Sequence, residues 1–411
     1  MVTILSVKQF FNDVRRQKLR TFMTMGGILW GTLAIVLLFA FGKGIHKAQM
    51  KSWKGLGENI SIIWPGSTSE PWQGLPRGRT IRFTEDDVCM MKARLSSVGA
   101  ISPEYGRWNV PIVYERKKSL QHVVGIWPEY GPMRNVIPEM GGRFINELDI
   151  AGKRRVAFIG DRLKDELFGA TDAVGQYIFV NDVPFRVIGV LKKKPQDSSY
   201  SGRDEWKVFI PSTTFQGIYS YYYPNNIIVQ PREGYHMNLT KKDIYRLMAR
   251  KYKFDPNDTE ALMIWDTAEN FRFLETFFVA FRIFLIGIGV ATLITGGIGV
   301  SNIMNVVLEE RTKEIGIKMA LGAKKGMIMF QFILETLFLT AIGGLIGFFL
   351  GLGIVKIFPL FNVEDFLGVP SIDTIGSVVA IGILGLVGLV AGFFPARRAA
   401  NLQPVQALKL F

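Results

Sequence analysis

The chain has 411 residues, 48% of them hydrophobic, and carries a formal net charge of +14 with one cysteine and three histidines. A single cysteine excludes a disulfide framework. The positive excess does not read as a nucleic-acid surface, because the basic residues of the long segment 46–272 are largely balanced by acids and much of the remaining excess lies on the short flanks of long apolar runs, where anionic lipid accounts for it.

In chain order, the first element is an amphipathic helix over residues 1–20. Ile4, Val7, Phe11 and Val14 follow helical spacing, and Arg15, Arg16 and Lys18 come after them, as in an elbow lying at a membrane interface. Thr21–Phe41 is then an uncharged apolar run, and about 20 such residues span a bilayer as a helix. A cleaved signal peptide fits poorly, since the run exceeds the usual ~7–15 residues and no small-x-small site follows. The first span is placed at 21–45.

Residues 46–272 are long enough for one large domain or two smaller ones. Thr84 with Asp87 three residues later is a capping-box pattern ahead of a helix over Thr84–Leu95. Tyr177–Leu191 holds two β-rich runs around Asn181-Asp182, a hairpin pattern. Arg155–Gly160 and Asn225–Gln230 read as short buried strands, and Leu239–Tyr252 as a helix. These signals predict an α+β domain. It shows no catalytic constellation: GxSxG is absent, and His122 and His236 have no Cys, His or acid at ligand spacing. The triplets Arg116–Lys118, Lys153–Arg155 and Lys192–Lys194 read as solvated turns, with lipid or partner contacts as the alternative. The aromatic run Tyr219–Pro224 reads as a loop packed on its own domain, with a contact surface as the alternative.

Three more apolar runs follow. The segment 273–308 carries the second span, uncharged from Ile283 to Leu308, with Arg282 near its boundary and able to snorkel. The third, 326–358, is interrupted by Gln331, Glu335 and Lys356, and the fourth, 375–395, is uncharged. Between them lies a loop, 359–374, in which Phe361–Thr374 has acids and no Lys or Arg; the tail, 396–411, carries Arg397, Arg398 and Lys409. By the excess of Lys and Arg in short flanks, both termini and the charged stretch 309–325 are expected in the cytoplasm, with 46–272 outside. Glu335 is the one acid well inside a span, and intramembrane acids are functional candidates. It is expected to pair at a helix interface or to link the third span to the charged stretch. Proton carriage is disfavoured because no second acid or His lies inside any span. Gly26, Gly27, Gly31, Gly343, Gly344, Gly347 and Gly351 supply small-residue spacing for close helix contact.

The charged stretch, EERTKEIGIKMALGAKKG (Glu309–Gly326), encodes its own short helix. Glu309–Lys313 and Glu314–Lys318 are i,i+4 pairs in the favourable order. Gly322 supplies a C-cap, and Lys324 and Lys325 suit the negative end of the helix dipole. At about 100° per residue, Ile315 and Met319 share one side while Ile317 and Leu321 fall on roughly the opposite one. A helix lying on a membrane needs one apolar face; two such faces suggest burial against its own spans on one side and a partner on the other. A re-entrant loop packed only on its own bundle is the alternative.

ERTKEIGIKMALGA (Glu310–Ala323), preceded by GGIGVSNIMNVVL (Gly296–Leu308), resembles the most characteristic stretch of the FtsX-like permeases of ABC transporters, in their MacB-type branch. The resemblance continues through Phe332–Gly351 and Phe393–Leu408, and at the front through Lys18–Gly31. In the outer segment it rests on GRFI (Gly142–Ile145), RVAFIG (Arg155–Gly160), LFG (Leu167–Gly169), VGQYI (Val174–Ile178) and PFRVIGVL (Pro184–Leu191), and it is weaker across Arg203–Asp266.

The resemblance implies an α-helical membrane protein with four transmembrane helices and a large α+β periplasmic domain between the first two, in the bacterial inner membrane. It also implies that the short helix docks on a nucleotide-binding subunit, through Glu310, Arg311, Glu314, Ile315, Ile317, Lys318, Leu321 and Gly322. No GxxxxGK[ST] occurs; the nearest stretch, FGKG (Phe41–Gly44), lacks the loop glycine and hydroxyl that a phosphate cradle needs. ATP and Mg are therefore expected on a separate cytoplasmic ABC ATPase, and no catalysis, cofactor or metal on this chain. A second permease copy, in a homodimer or related heterodimer, and a membrane-fusion adaptor are the further partners implied. The implied mechanism is transmission: ATP binding draws the coupling helices together, and spans one and two change the separation of the outer domains. The leading expectation is export of a drug, peptide or lipid-like substrate. Lipoprotein release and control of a cell-wall hydrolase are the alternatives, the latter branch having a much smaller outer domain.

Overall fold

The structure, a computed structural model, describes residues 18–196, 199–361, 368–372 and 374–403, with side chains from residue 25 onward apart from 374 and 375. Nearly all of the expected elbow over residues 1–20, including Ile4, Val7, Phe11 and Val14, lies outside the described residues, as do residues 362–367 and 373 of the loop 359–374 and the end of the tail. The chain divides into two units: one made of residues up to Gln49 together with those from Thr276, the other of Met50–Glu275.

Helix α1 (Lys18–Lys54) is longer than its apolar run. It continues past Phe41 because Lys, Ala, Gln and Met, all strong helix formers, dominate the residues that follow. The inserted unit then runs β1 (Ser61–Pro65), α2 (Glu85–Arg94), β2 (Val98–Tyr114), β3 (Lys117–Ile126), α3 (Tyr130–Met133), α4 (Glu147–Ala151), β4 (Val156–Ile159) and α5 (Asp161–Phe168). It continues through β5 (Tyr177–Val180), β6 (Val183–Val190), β7 (Val208–Pro211), α6 (Ser212–Tyr219), β8 (Asn226–Pro231), α7 (Met237–Tyr252) and β9 (Leu262–Asp266).

These strands form one sheet in the order β3-β7-β4-β6-β5-β2-β8-β1-β9, and β3 also pairs with β2. The strands β2-β3-β7-β4-β6-β5 thus close a ring, while β8, β1 and β9 extend from the first half of β2. One strand serves both because it is bulged between Arg107 and Val110, where Asn109 takes a φ of 56°; a bulge bends the strand and increases its twist. Tyr105, Ile112, Ile159, Phe185 and Phe215 belong to the ring's core. Under α2 and α7 a second core holds Phe83, Met91, Ile101, Ile244 and Met248, and a third holds Ile62, Val124, Phe158, Phe209 and Ile228.

Local signals set much of this. Asn181 and Asp182 both have positive φ, as the two-residue turn between antiparallel β5 and β6 requires. At the start of α2, the Asp87 carboxylate accepts from the Thr84 N–H at 2.7 Å and its hydroxyl at 2.9 Å. Asp87 also accepts from Lys251 and Tyr252, so the same cap fastens α7. Two expectations need correction. Lys194 is not on a solvated turn: its side chain is 9% exposed and bound to Asp204. The run Tyr219–Pro224 is divided, with Tyr219 and Tyr221 packed against Phe215 and Tyr222 exposed.

The chain then forms α8 (Thr267–Glu310), α9 (Thr312–Ala320), α10 (Lys325–Ile357) and α11 (Thr374–Ala400). Among the described residues four helices, α1, α8, α10 and α11, are long and apolar enough to cross a membrane. The chain is a multi-pass membrane protein with a large α+β domain between its first and second candidate transmembrane helices. Helix α11 runs through Pro395 to Ala400, beyond the apolar run, because Ala396 and Ala399 are buried in the bundle core. Glycines bring these helices close. A β-carbon on Gly296 would lie 3.0 Å from the Gly27 carbonyl oxygen, one on Gly347 2.5 Å from that of Leu29, and one on Gly344 2.2 Å from Leu384. Gly26 is the exception among the expected contact glycines: among the described residues, nothing beyond its own helix backbone lies within 4 Å of the β-carbon position.

Candidate coupling site

Helix α8 ends at Glu310, and Arg311, with φ −98° and ψ 7°, breaks it from α9. The chain barely pauses: the Arg311 N–H still donates to Val307 O, and the Thr312 hydroxyl donates to Leu308 O at 2.9 Å. At the other end, Gly322 N–H donates to Met319 O and Ala323 N–H to Lys318 O. That double closure is a Schellman motif, and it places Gly322 at a φ of 98°, where a side chain is disfavoured. A nine-residue helix is therefore delimited at both ends by its own sequence.

Its two faces differ as the spacing predicts. Ile315 and Gly316 are buried, and Ile315 belongs to the bundle core with Met304, Leu308, Ile328 and Phe332, against which Met319 packs. On the opposite side, Ile317 is 44% and Leu321 84% exposed. Glu314 and Lys318 form the expected pair at 2.7 Å, half-exposed, and such a pair contributes only about 0.3–0.5 kcal/mol. Glu310 is exposed as the last residue of α8. Two expectations are corrected. Glu309 and Lys313 stand on opposite sides of the Arg311 break, and no ion pair joins them among the described residues. Lys324 and Lys325 are the N-cap and first residue of α10, at the positive end of that helix, so the dipole does not favour them.

Glu335 is 8% exposed and lies on α10. Arg311 Nη1 donates to both its oxygens at 3.1 and 3.3 Å, and Gln331, one turn earlier, donates at 3.0 Å. A carboxylate in such surroundings is costly unless paired and hydrogen-bonded, and here its partner is the residue that opens α9. Two residues to which the sequence assigned no contact at this site also belong here. Gln331 stands at i−4 from Glu335, a spacing visible in the sequence; Arg398 of α11 donates to Asn305 of α8 at 3.4 Å, a long-range contact with no sequence signal. Among the described residues no cluster of three His, Cys, Asp or Glu is placed to hold a metal ion. The site's assets are an exposed apolar edge, flanking charge and an ion pair to a spanning helix, which suit it to binding a partner and moving with it.

Residues 21–247 match the family described as MacB-like periplasmic core domain, and residues 286–404 the FtsX-like permease C-terminal family. The chain is 32% identical over 409 residues to the macrolide export ATP-binding/permease protein MacB of Bdellovibrio bacteriovorus, covering 98% of this chain and 61% of that protein. It is 32% identical over 411 residues to the ABC transporter permease YvrN of Bacillus subtilis, covering 97% and 98%. The chain thus spans about three fifths of the length of the MacB protein and nearly all of YvrN. The crystal structure of the periplasmic region of MacB from Actinobacillus actinomycetemcomitans is similar at a TM-score of 0.43 and 18% identity, covering 54% of this chain and 95% of that one.

Proposed function

The chain belongs to the FtsX-like ABC transporter permeases with a MacB-like core domain, and we propose that it transmits the motion of a cytoplasmic ABC ATPase to its inserted domain. The observation that carries this reading is the two-sided α9: Ile315 is held in the bundle while Leu321 and Ile317 stand out from it. An exposed apolar edge bounded by Glu314, Lys318 and Lys324 is what a cytoplasmic protein partner would cover.

In this reading the termini and α9 face the cytoplasm, following the Lys and Arg of their flanks, and the inserted domain lies outside the bacterial inner membrane. ATP and Mg bind a partner subunit in this reading, which the similarity to YvrN supports, since that protein, matched over nearly its full length, is named as a permease alone. Two permease copies serve two ATPases. Both passages between the bundle and the inserted domain fall inside helices, α1 and α8, rather than in loops, which supports movement carried along helices. The work drives export of a drug, peptide or lipid-like substrate with a membrane-fusion protein. Affinity purification from the native membrane tests this. Recovery of a Walker-type ATPase with a fusion protein supports the export reading, a lipoprotein carrier in place of the fusion protein redirects it to lipoprotein release, and absence of any ATPase contradicts it.

A further inference from the structure

Between β6 and β7 the inserted domain buries a cluster of charge that the coupling site does not use. The fully buried Asp204 carboxylate faces three cations: Arg134 at 3.3 Å, Lys194 at 2.9 Å and Lys207 at 3.0 Å. Three are more than one carboxylate needs, and the surplus donors are used on backbone. Arg134 Nη1 donates to Leu56 O, and Lys194 Nζ to Gly55 O at 2.8 Å. Those two carbonyls directly follow α1, at the negative end of the helix, where cations are favoured. Burial pulls the Lys194 ammonium down to about 8, with the Asp204 carboxylate acting in the opposite direction, so the amine is charged at neutral pH.

Tyr200 carries the cluster to the other helix. Its ring lies 5.0 Å from the Arg134 guanidinium, its hydroxyl donates to Glu104, and it packs against Trp64 of β1 and Trp265 of β9. Trp265 comes two residues before α8 and meets Trp53 of α1, which also meets Phe271 of α8. The first residue of α8, Thr267, gives both its N–H and its hydroxyl to Ile60 O, at 3.0 and 2.8 Å.

We propose that the Asp204-centred cluster and Tyr200 are a fastening that ties the last turn of α1 to the first turn of α8, making the two helices one moving pair at the inserted domain. Arg134 and Lys194 hold the α1 carbonyls, and Tyr200 holds Trp265. The use of this fastening in transmission rests on the function proposed above; the fastening itself requires no ATPase.

The test uses the full chain in lipid nanodiscs without an ATPase, in a Cys89→Ser background with spin labels at Lys51→Cys and Phe273→Cys, both exposed positions. Pulsed dipolar spectroscopy reads the distance between them. The otherwise wild-type chain is expected to give one narrow distribution, and Lys194→Met and Tyr200→Leu to lose it while the domain keeps its secondary structure. Should Lys194→Met fail to fold, Tyr200→Leu decides alone, since it leaves every charge of the cluster in place. A distribution as narrow in Tyr200→Leu as in the otherwise wild-type chain overturns the proposal. Leu321→Glu is expected to keep the narrow distribution, so failure of the coupling reading shows at α9 and not here.

Discussion

Arg311, which opens the short helix α9, is paired at 3.1 Å with Glu335, buried on the third apolar helix. Any displacement of α9 therefore acts on α10 through a charge pair as well as through Ile315. Glu335→Gln keeps the hydrogen-bonding shape and removes the charge, leaving Arg311 without its carboxylate. The expected outcome is a loss of about 1–3 kcal/mol in bundle stability, below the full cost of breaking a fully buried pair, with reduced stimulation of the ATPase. Thermal unfolding in detergent and ATP turnover of the reconstituted complex check the two effects, and an unchanged turnover would separate the pair from coupling.

Close helix contact yields a second prediction. Gly347→Ala places a methyl 2.5 Å from the Leu29 carbonyl oxygen, a backbone atom that cannot rotate away. It should destabilise the bundle by about 1–3 kcal/mol, as overpacking does, despite the better helix propensity of Ala. Gly26→Ala, which meets no neighbouring helix within 4 Å among the described residues, should be neutral or slightly stabilising. Melting curves that fail to separate the two variants would contradict the packing described.

His122 sets an acid limit on the inserted domain. Burial, then Lys207, lowers its pKa to about 4, with Ser201 O bound to Nδ1 at 3.1 Å and the ring stacked on Trp108 at 3.9 Å. The folded state keeps this imidazole neutral while the unfolded chain protonates near its ordinary value, so the unfolded state binds the extra proton between those values. Stability is thus full above pH ~6.5 and falls by up to about 3 kcal/mol as pH drops to 4. His122→Phe, which keeps an aromatic ring against Trp108, should flatten that portion of the stability curve. Equal slopes for the two proteins in denaturant titrations across this window would refute the assignment.

The bundle and the short helix α9 were legible in the sequence because their signals are local. Apolar runs marked the four helices, and the spacing of Ile315, Ile317, Met319 and Leu321 separated a bundle-facing side from an open one. Gly322 announced the helix end, and Asn181-Asp182 the turn of the hairpin. Where distant residues meet, no local pattern existed. Lys194 looked like part of a solvated triplet because Asp204, Arg134 and Gly55 reach it only after folding. The Glu309–Lys313 pair failed for the converse reason: the spacing was right, but the helix breaks at Arg311. Gly26 had the sequence company of a packing glycine but meets no neighbouring helix among the described residues.

Leu321 tests the central claim most directly. It is 84% exposed on the side of α9 away from the bundle, so Leu321→Glu should leave insertion and the inserted domain unchanged. The measurement is ATPase recovered with the affinity-purified chain, and its ATP turnover, for wild type and Leu321→Glu side by side. Loss of the ATPase or of its stimulation in the variant is the predicted result; recovery and turnover equal to wild type would contradict the assignment of α9 as the docking helix.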